Sequence, residues 1–274
     1  MAHKMPEEIC CHVVDDNAYV TEVVLEVKSH ERIALFCEGV EVSRKGQLSV
    51  IIIGTTTKVY IFDILKLGKE AFNNGLRDIL QDKTKEKLMF DCREDSDCLY
   101  HQFKVQLSGV LDLQLLEVMY RKTSSAPSSI DGACPSRRSE MVDAIDNVTG
   151  FVKCIEVHTK DKDVRKAMDR SWIGYDGKKW LKRPLQQSIE VYCCAKTSAM
   201  FTLFENLNGH GENLPRLRVA SERYVNLLKD IPQRRFDRLE THTFLPLDII
   251  QLEGTLTFPL ANTKCVICQR LFTR

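Results

Sequence analysis

Among the acidic side chains of the first hundred residues, Glu38 stands out because it closes an apolar run, Arg32-Ile33-Ala34-Leu35-Phe36-Cys37-Glu38, that reads as a buried strand. Side chains two apart on a strand share a face, so Glu38 and Phe36 point the same way. A pair of carboxylates there could hold a divalent cation, but an aromatic ring stands at the second position. A second acidic group, Glu94, Asp95 and Asp97, opens a helical stretch just after Asp91 ends a short strand, and negative charge there suits the positive end of the helix dipole. Asp63 and Asp112 end short apolar runs and read as capping or turn residues. Far downstream, Tyr192 and Lys196 lie one turn apart on a long helical pattern, and Tyr192 falls on its apolar stripe. His101 and His158 have no partner at ligand spacing. Cys265 and Cys268 have metal-ligand spacing, yet two thiolates are half of a tetrahedral site and no second pair or histidine follows; a zinc site there would need residues from outside this chain.

The elements that must position these groups follow from periodicity. Apolar residues at helical spacing predict a helix over 17–30. Three β-rich runs, 32–37, 48–55 and 58–62, are joined by turns short enough for antiparallel hairpins. Helical spacing returns over 68–82, then a strand over 87–90, a helix over 93–104, a strand over 109–111 and a helix over 113–121. The stretch 122–139, rich in Ser, Pro and Gly, reads as a flexible loop. Further helices are expected over 139–147 and 161–172, and the longest over 187–207. Residues 1–12 read as a flexible N-terminus, 13–207 as one domain, and 208–274 as a basic, partly helical extension. Strand runs alternating with helices describe an α/β domain with a mixed five-stranded sheet. No glycine-rich phosphate loop follows the first strand, which argues against a dinucleotide fold.

The chain has 274 residues and a formal net charge of +1. That near-neutrality conceals a split. Residues 1–120 carry 14 Lys and Arg against 20 Asp and Glu, a net of −6, and residues 121–274 carry 25 against 18, a net of +7. The basic half favours an anionic partner. The eleven cysteines are scattered and mostly sit in apolar patterns, so they read as reduced core residues. No apolar run is long enough to cross a bilayer, and the default location is the cytosol or nucleus.

Three stretches together resemble the DEDD 3′-to-5′ exonuclease family, of the RNase D type with a tyrosine in its third motif. They are Phe36-Cys37-Glu38-Gly39-Val40 with Arg44-Lys45-Gly46-Gln47, then Asp91-Cys92-Arg93-Glu94-Asp95, then Trp180-Leu181-Lys182-Arg183-Pro184 followed by Tyr192-Cys193-Cys194-Ala195-Lys196. Ser221-Glu222-Arg223-Tyr224-Val225 and Phe244-Leu245-Pro246-Leu247 are similar to the segment that follows the domain in a subfamily of the piRNA pathway. The resemblance implies an RNase H-like sheet and a site where four carboxylates hold two Mg²⁺ or Mn²⁺ ions.

Carried over residue by residue, Glu38, Asp95 and Tyr192 match the family, whereas Phe36 and Lys196 stand where two of the four acids belong. The local charge changes from about −4 to about −1. The expectation is a non-catalytic domain without its metals, closed by an ion pair from Lys196 to Glu38 or Asp95. Asp91 and Asp97 read as capping or surface acids, and Glu190 lies on the wrong side of the helix to replace a ligand. Such a domain would keep a basic surface for single-stranded RNA, with Lys178, Lys179, Lys182, Arg183, Arg216, Arg218 and Arg223 as candidates, and with Arg234, Arg235 and Arg238 beyond them. The subfamily resemblance further implies an adaptor in piRNA biogenesis, a homodimer, Tudor-type and PIWI-type partners, and a cytoplasmic location in ribonucleoprotein granules. A protein scaffold that binds no RNA and a residual metal-dependent exonuclease are the alternatives.

Overall fold

The computed structural model describes residues 10–124, 148–159, 177–209 and 211–229. One mixed sheet runs in the order β1-β4-β3-β2-β5-β6. Its strands are β1 (Cys10–Val14), β2 (Arg32–Val40), β3 (Gln47–Gly54), β4 (Lys58–Asp63), β5 (Glu86–Met89) and β6 (Val110–Asp112). Antiparallel pairing joins β2 to β3 and β3 to β4, while β1 on β4, β5 on β2 and β6 on β5 are parallel. The central strands are unbroken apolar runs, Ile33 to Phe36, Val50 to Ile53 and Val59 to Phe62, all buried. Such runs are what a sheet covered on both faces requires.

The sixth strand corrects the expectation of five. Cys10–Val14, whose first three residues the sequence places in a flexible N-terminus, pairs in parallel with β4 from Cys10 opposite Lys58 to Val14 opposite Phe62. Its side chains lack strict polar alternation because an edge strand buries little, and that removed the strand signal. A second correction concerns 68–82. Instead of one helix there is a short α2 (Ile64–Leu67), capped by Asp63, then a π-type turn at Phe72–Leu76 leading into α3 (Arg77–Gln81). Gly75 adopts φ 107°, and a Cβ there would lie 2.9 Å from Val24 Cγ1. The glycine breaks the helix where α1 (Asn17–Lys28) packs against it.

Helices α4 (Arg93–Phe103) and α5 (Leu113–Ser124) follow the sequence pattern closely. Helix α5 continues to Ser124, past residue 122 where a loop is expected to begin; 125–147, including the helix expected over 139–147, lies outside the described residues, as do 161–172 and 230–274 with Cys265 and Cys268. A short α6 (Phe151–His158) precedes the long α7 (Gln187–Asn208), which lies across β2, β3, β4 and β5. Gly54 permits that close approach, because a Cβ there would lie 2.2 Å from Thr197 Cγ2.

Helix α8 (Leu214–Asn226) corrects the domain boundary. Read from sequence as part of an extension, it packs on β6, α4 and α5 and buries Leu217, Ala220, Tyr224 and Val225 in the common core. Its polar residues fasten it as well. Ser221 Oγ accepts from Asp112 N at 2.9 Å, Ser96 Oγ donates to Val225 O at 2.8 Å, and Arg44 Nη2 donates to Leu228 O at 2.6 Å.

Candidate functional site

Strand β2 delivers Glu38 to the end of the sheet just before a bulge between Glu38 and Gly39. Bulges of this kind re-aim a strand beside a site. Gly39 is dictated by the crossing with β3, since a Cβ would lie 2.1 Å from Gln47 O. Gly177, at φ 63°, packs against the same place, and a Cβ there would lie 3.0 Å from Gly39 O. This contact seats the 3-10 turn Lys178–Leu181 beside β2, with Trp180 fully buried and edge-on to Tyr192 at 5.9 Å between ring centroids.

Helix α7 then brings two of its side chains onto Glu38. Lys196 Nζ donates to Glu38 Oε1 at 2.9 Å and Tyr192 OH donates to the same oxygen at 3.1 Å. Glu38 and Lys196 are both largely withdrawn from water, with side-chain exposures of 7% and 14%. The lysine nitrogen also stands 4.2 Å from the centre of the Phe36 ring. A cation over an aromatic face is attracted by the ring quadrupole. Phe36, Glu38, Tyr192 and Lys196 therefore form one interlocked cluster.

Asp95 completes it from the first turn of α4. Its Oδ2 accepts from Cys37 N at 3.0 Å, which fixes α4 to the strand that carries Glu38. Burial pushes the Asp95 carboxyl up to about 7; the Lys196 ammonium and the Cys37 amide oppose that rise, and Glu38 and Asp91 add to it. The ion pair expected from sequence is present, and its acid is Glu38.

The remaining acids serve the fold. Asp91 forms a bidentate pair with Arg93, Oδ1 to Nε at 2.6 Å and Oδ2 to Nη2 at 2.7 Å, and the buried guanidinium lies 4.7 Å from the Tyr224 ring centre. Asp97, read as a surface or capping acid, is instead 4% exposed and clamps Arg44, whose Nη2 is 2.6 Å from Oδ1. Sequence reasoning missed this pair because its members lie 53 residues apart. Asp112 is buried and accepts from the backbone of Cys92 at 2.8 Å and Gln114 at 2.9 Å, and burial pushes its carboxyl up to about 6. His158 faces Glu117 at 3.3 Å and His101 faces Asp97 at 3.5 Å. Among the described residues no three His, Cys, Asp or Glu side chains gather as a metal-holding group.

The basic candidates divide. Lys178, Lys179 and Lys182 flank the 3-10 turn next to Glu38, with Lys178 and Lys182 exposed. Arg183 does not belong with them. Its guanidinium is paired with Asp63, Nη2 to Oδ1 at 2.7 Å, and also donates to Trp180 O at 2.7 Å and Ser49 Oγ at 2.9 Å. It is a clamp between the turn and the sheet, so its charge is spent inside the protein. Arg218 pairs with Glu86, which Arg32 also holds at 2.5 Å. That cluster sits where β2 and β5 begin, six residues before Glu38 and so roughly 20 Å along the strand. Arg216 is half-buried and its ordinary pKa is lowered by desolvation, whereas Arg223 is exposed. Arg234, Arg235 and Arg238 lie outside the described residues.

A mixed sheet in this order, with an acid at the end of its central β2, a second acid opening α4 and a tyrosine on the long helix across its face, is the plan of an exonuclease domain. The family model described as a 3′-5′ exonuclease matches residues 11–212, and the chain belongs to that family. Within it, the chain is similar to the piRNA biogenesis protein EXD1 of Mus musculus, 40% identical over 114 residues, which are 41% of this chain and 20% of the relative. It is similar also to EXD1 of Bombyx mori, 26% identical over 180 residues, or 62% of this chain and 57% of the relative. The matches thus span a fifth of the mouse relative and little over half of the silkworm one. Among solved structures it is similar to Trypanosoma brucei RNase D, at 22% identity and a TM-score of 0.62 over 81% of this chain and 73% of that one; that protein is also known in complex with RNA U12. Escherichia coli RNase D, an exoribonuclease involved in structured RNA processing, shares 18% identity with a TM-score of 0.58 over 80% of this chain and 51% of that one. At these identities the likeness shows the fold alone.

Proposed function

We propose that this chain is an exonuclease domain that binds RNA without cutting it, acting as an adaptor in small-RNA biogenesis. The observation that carries this reading is the Lys196–Glu38 pair over Phe36. A two-metal nuclease site needs acidic oxygens around two divalent ions about 3.5 to 4 Å apart. Here the carboxylate at the end of β2 already accepts from an ammonium, and a phenyl ring, which donates no electron pair, covers the adjoining position. The residues present do not fit a metal pair.

What remains suits a ligand with a phosphate backbone. Lys178 and Lys179 belong to the 3-10 turn that packs beside β2, Lys182 follows it, and Lys178 and Lys182 are exposed. Phosphate contacts by such groups give sequence-independent affinity that falls steeply with salt. The RNA complex of T. brucei RNase D and the piRNA name of the EXD1 relatives favour RNA over DNA as the ligand. On this reading the protein works in the cytoplasm, in ribonucleoprotein granules, as a homodimer that holds Tudor-type and PIWI-type proteins.

The test has three arms. End-labelled single-stranded RNA incubated with Mg²⁺ or Mn²⁺ should stay intact, and a ladder of shortened products would overturn the loss of catalysis. Binding titrations at two salt concentrations should show affinity dropping with salt, and absence of binding at low salt would leave the protein scaffold as the function. Replacing Lys178, Lys179 and Lys182 with glutamate should weaken RNA at least about tenfold with the fold intact.

A further inference from the structure

A cavity of about 500 Å³ opens where β5 and β6 begin, at the end of the sheet away from Glu38. Helix α8 lines it with Arg218, Glu222, Val225 and Asn226. The end of α3 supplies Gln81, and the segments before β5 and β6 supply Lys83, Gln106 and Ser108. Leu107, Val110 and Leu111, all buried, give it an apolar surface.

The fold fixes the walls of this cleft. Gly109 adopts φ 65°, and a Cβ there would lie 2.4 Å from Lys85 O, so glycine lets the segment before β6 lie against the loop before β5. The fully buried Lys87 anchors that loop, donating from Nζ to Asp82 O at 2.7 Å and to Lys85 O at 2.9 Å. Ser108 N donates to Leu80 O at 3.1 Å, and Arg218 ties α8 to Glu86 of β5. A cleft held this way loses little freedom when it is filled.

Its polar groups are oriented. Gln81 Oε1 accepts from Gln106 N at 2.9 Å, which leaves Nε2 as a donor, and Asn226 Nδ2 donates to Glu222 O at 2.8 Å, which leaves Oδ1 as an acceptor. A fixed donor and a fixed acceptor match the C=O and N–H of a peptide backbone. Lys83 and Glu222 have no ion-pair partner among the described residues, and Arg218, with one nitrogen on Glu86, keeps further donors. Lys83 precedes Glu86 by three residues and Arg218 holds Glu86, so both cations fall at one end of the cleft. From Arg218 to Asn226 the helix rises about 12 Å, the length of three to four extended residues. None of the lining residues is aromatic, so a nucleobase would find no stacking platform, which favours a peptide over a nucleic acid.

We propose that this cleft binds a short extended segment of a partner protein, one that carries a carboxylate for Lys83 and Arg218 and, beside it, an aliphatic side chain for the surface of Leu107, Val110 and Val225. Hydrogen bonds from two cations to one carboxylate are the strong, charge-assisted kind. The cleft lies roughly 20 Å along β2 from Glu38, so it can be filled while the other end of the sheet is occupied. The inference does not depend on RNA binding.

The experiment uses the full chain and a fluorescein-labelled, capped peptide, Ser-Gly-Asp-Leu-Val-Gly-Ser, followed by fluorescence polarisation. Saturable binding is expected below about 1 mM. A peptide with asparagine for aspartate, or with serine for leucine, should bind at least about tenfold more weakly, and so should the parent peptide to Lys83→Glu. Lys69→Glu, the same change of charge outside the cleft, should leave the affinity unaltered, and Glu222→Gln should tighten it about threefold. Should Lys83→Glu fail to fold, amide exchange on the unaltered chain with saturating peptide should slow across residues 106–111 and 218–226. No saturable binding, equal losses in Lys69→Glu and Lys83→Glu, displacement of the peptide by a single-stranded RNA oligonucleotide, or exchange unchanged in those two segments would overturn the proposal.

Discussion

Truncating Lys196 to alanine leaves Glu38 buried with a charge that its lysine no longer balances. The carboxylate keeps the Tyr192 hydrogen bond, but it loses the ammonium 2.9 Å away, and Phe36 loses the cation over its ring. Breaking a buried pair on one side costs about 3 to 5 kcal/mol. With Tyr192 still donating, the lower end applies, and about 3 kcal/mol lowers the melting temperature by roughly 6 to 12 °C for a domain of this size. The stranded Glu38 holds its proton more tightly in the folded state than in the unfolded one, so the deficit is smallest below about pH 4 and grows as pH rises. Replacing both partners, Glu38→Leu with Lys196→Met, should return stability to within about 1 kcal/mol of the parent, since an apolar pair of similar volume carries no desolvation cost. Denaturant melts of the three variants at pH 4, 6 and 8 read this directly. A loss under about 1 kcal/mol for Lys196→Ala, or a double variant no more stable than the single one, would refute the view that the pair locks the site.

Asp95 provides a second pH test. With its carboxyl raised to about 7 from an ordinary 3.8, the folded state binds the proton that the unfolded state has lost. Its contribution is therefore complete below about pH 4 and disappears as pH rises through 7, by at most about 4 kcal/mol; Asp95→Asn should flatten that slope in urea melts at pH 4 to 8. Gly54→Ala should cost several kcal/mol, because its Cβ meets Thr197 Cγ2 at 2.2 Å, and Thr197→Ala should recover part of it in a double-mutant cycle. Arg183→Ala should lower stability by about 3 to 5 kcal/mol by stranding the buried Asp63, whereas Lys182→Ala should leave it unchanged in the same thermal melt. Phe36→Asp with Lys196→Asp gives four acids at this site, and calorimetric titration should then detect Mn²⁺ binding to the double variant and none to the parent.

The parts of the fold legible in the sequence were those with strong period. The central strands and the helices α1, α4, α5 and α7 are apolar at spacings of two or 3.6, and they fall within a few residues of where the pattern puts them. The cluster of Phe36, Glu38, Asp95, Tyr192 and Lys196 was readable because motif order set five residues into one frame. The losses have physical causes too. Strand β1 is too short and too little buried to alternate, and Gly75 hides a backbone break inside a helical pattern. The role of Arg183 was misread because charge alone does not distinguish a guanidinium facing solvent from one held by Asp63 and Ser49. Sequence separation hid the Arg44–Asp97 clamp, whose residues meet only once the sheet and α4 are in place.

The fastening of α8 also constrains the order of assembly. Strand β6 and the buried Arg93 need Ser221 and Tyr224, and Arg44, near the beginning of the chain, reaches Leu228 across 184 residues. A nascent chain that has emerged only as far as residue 212 can form its hairpins but leaves β6, α4 and α5 without the surface that covers them. The domain becomes a single cooperative unit only when Leu228 arrives. So long a wait for closure predicts slow folding and makes the family boundary at residue 212 a poor place to cut the gene for expression.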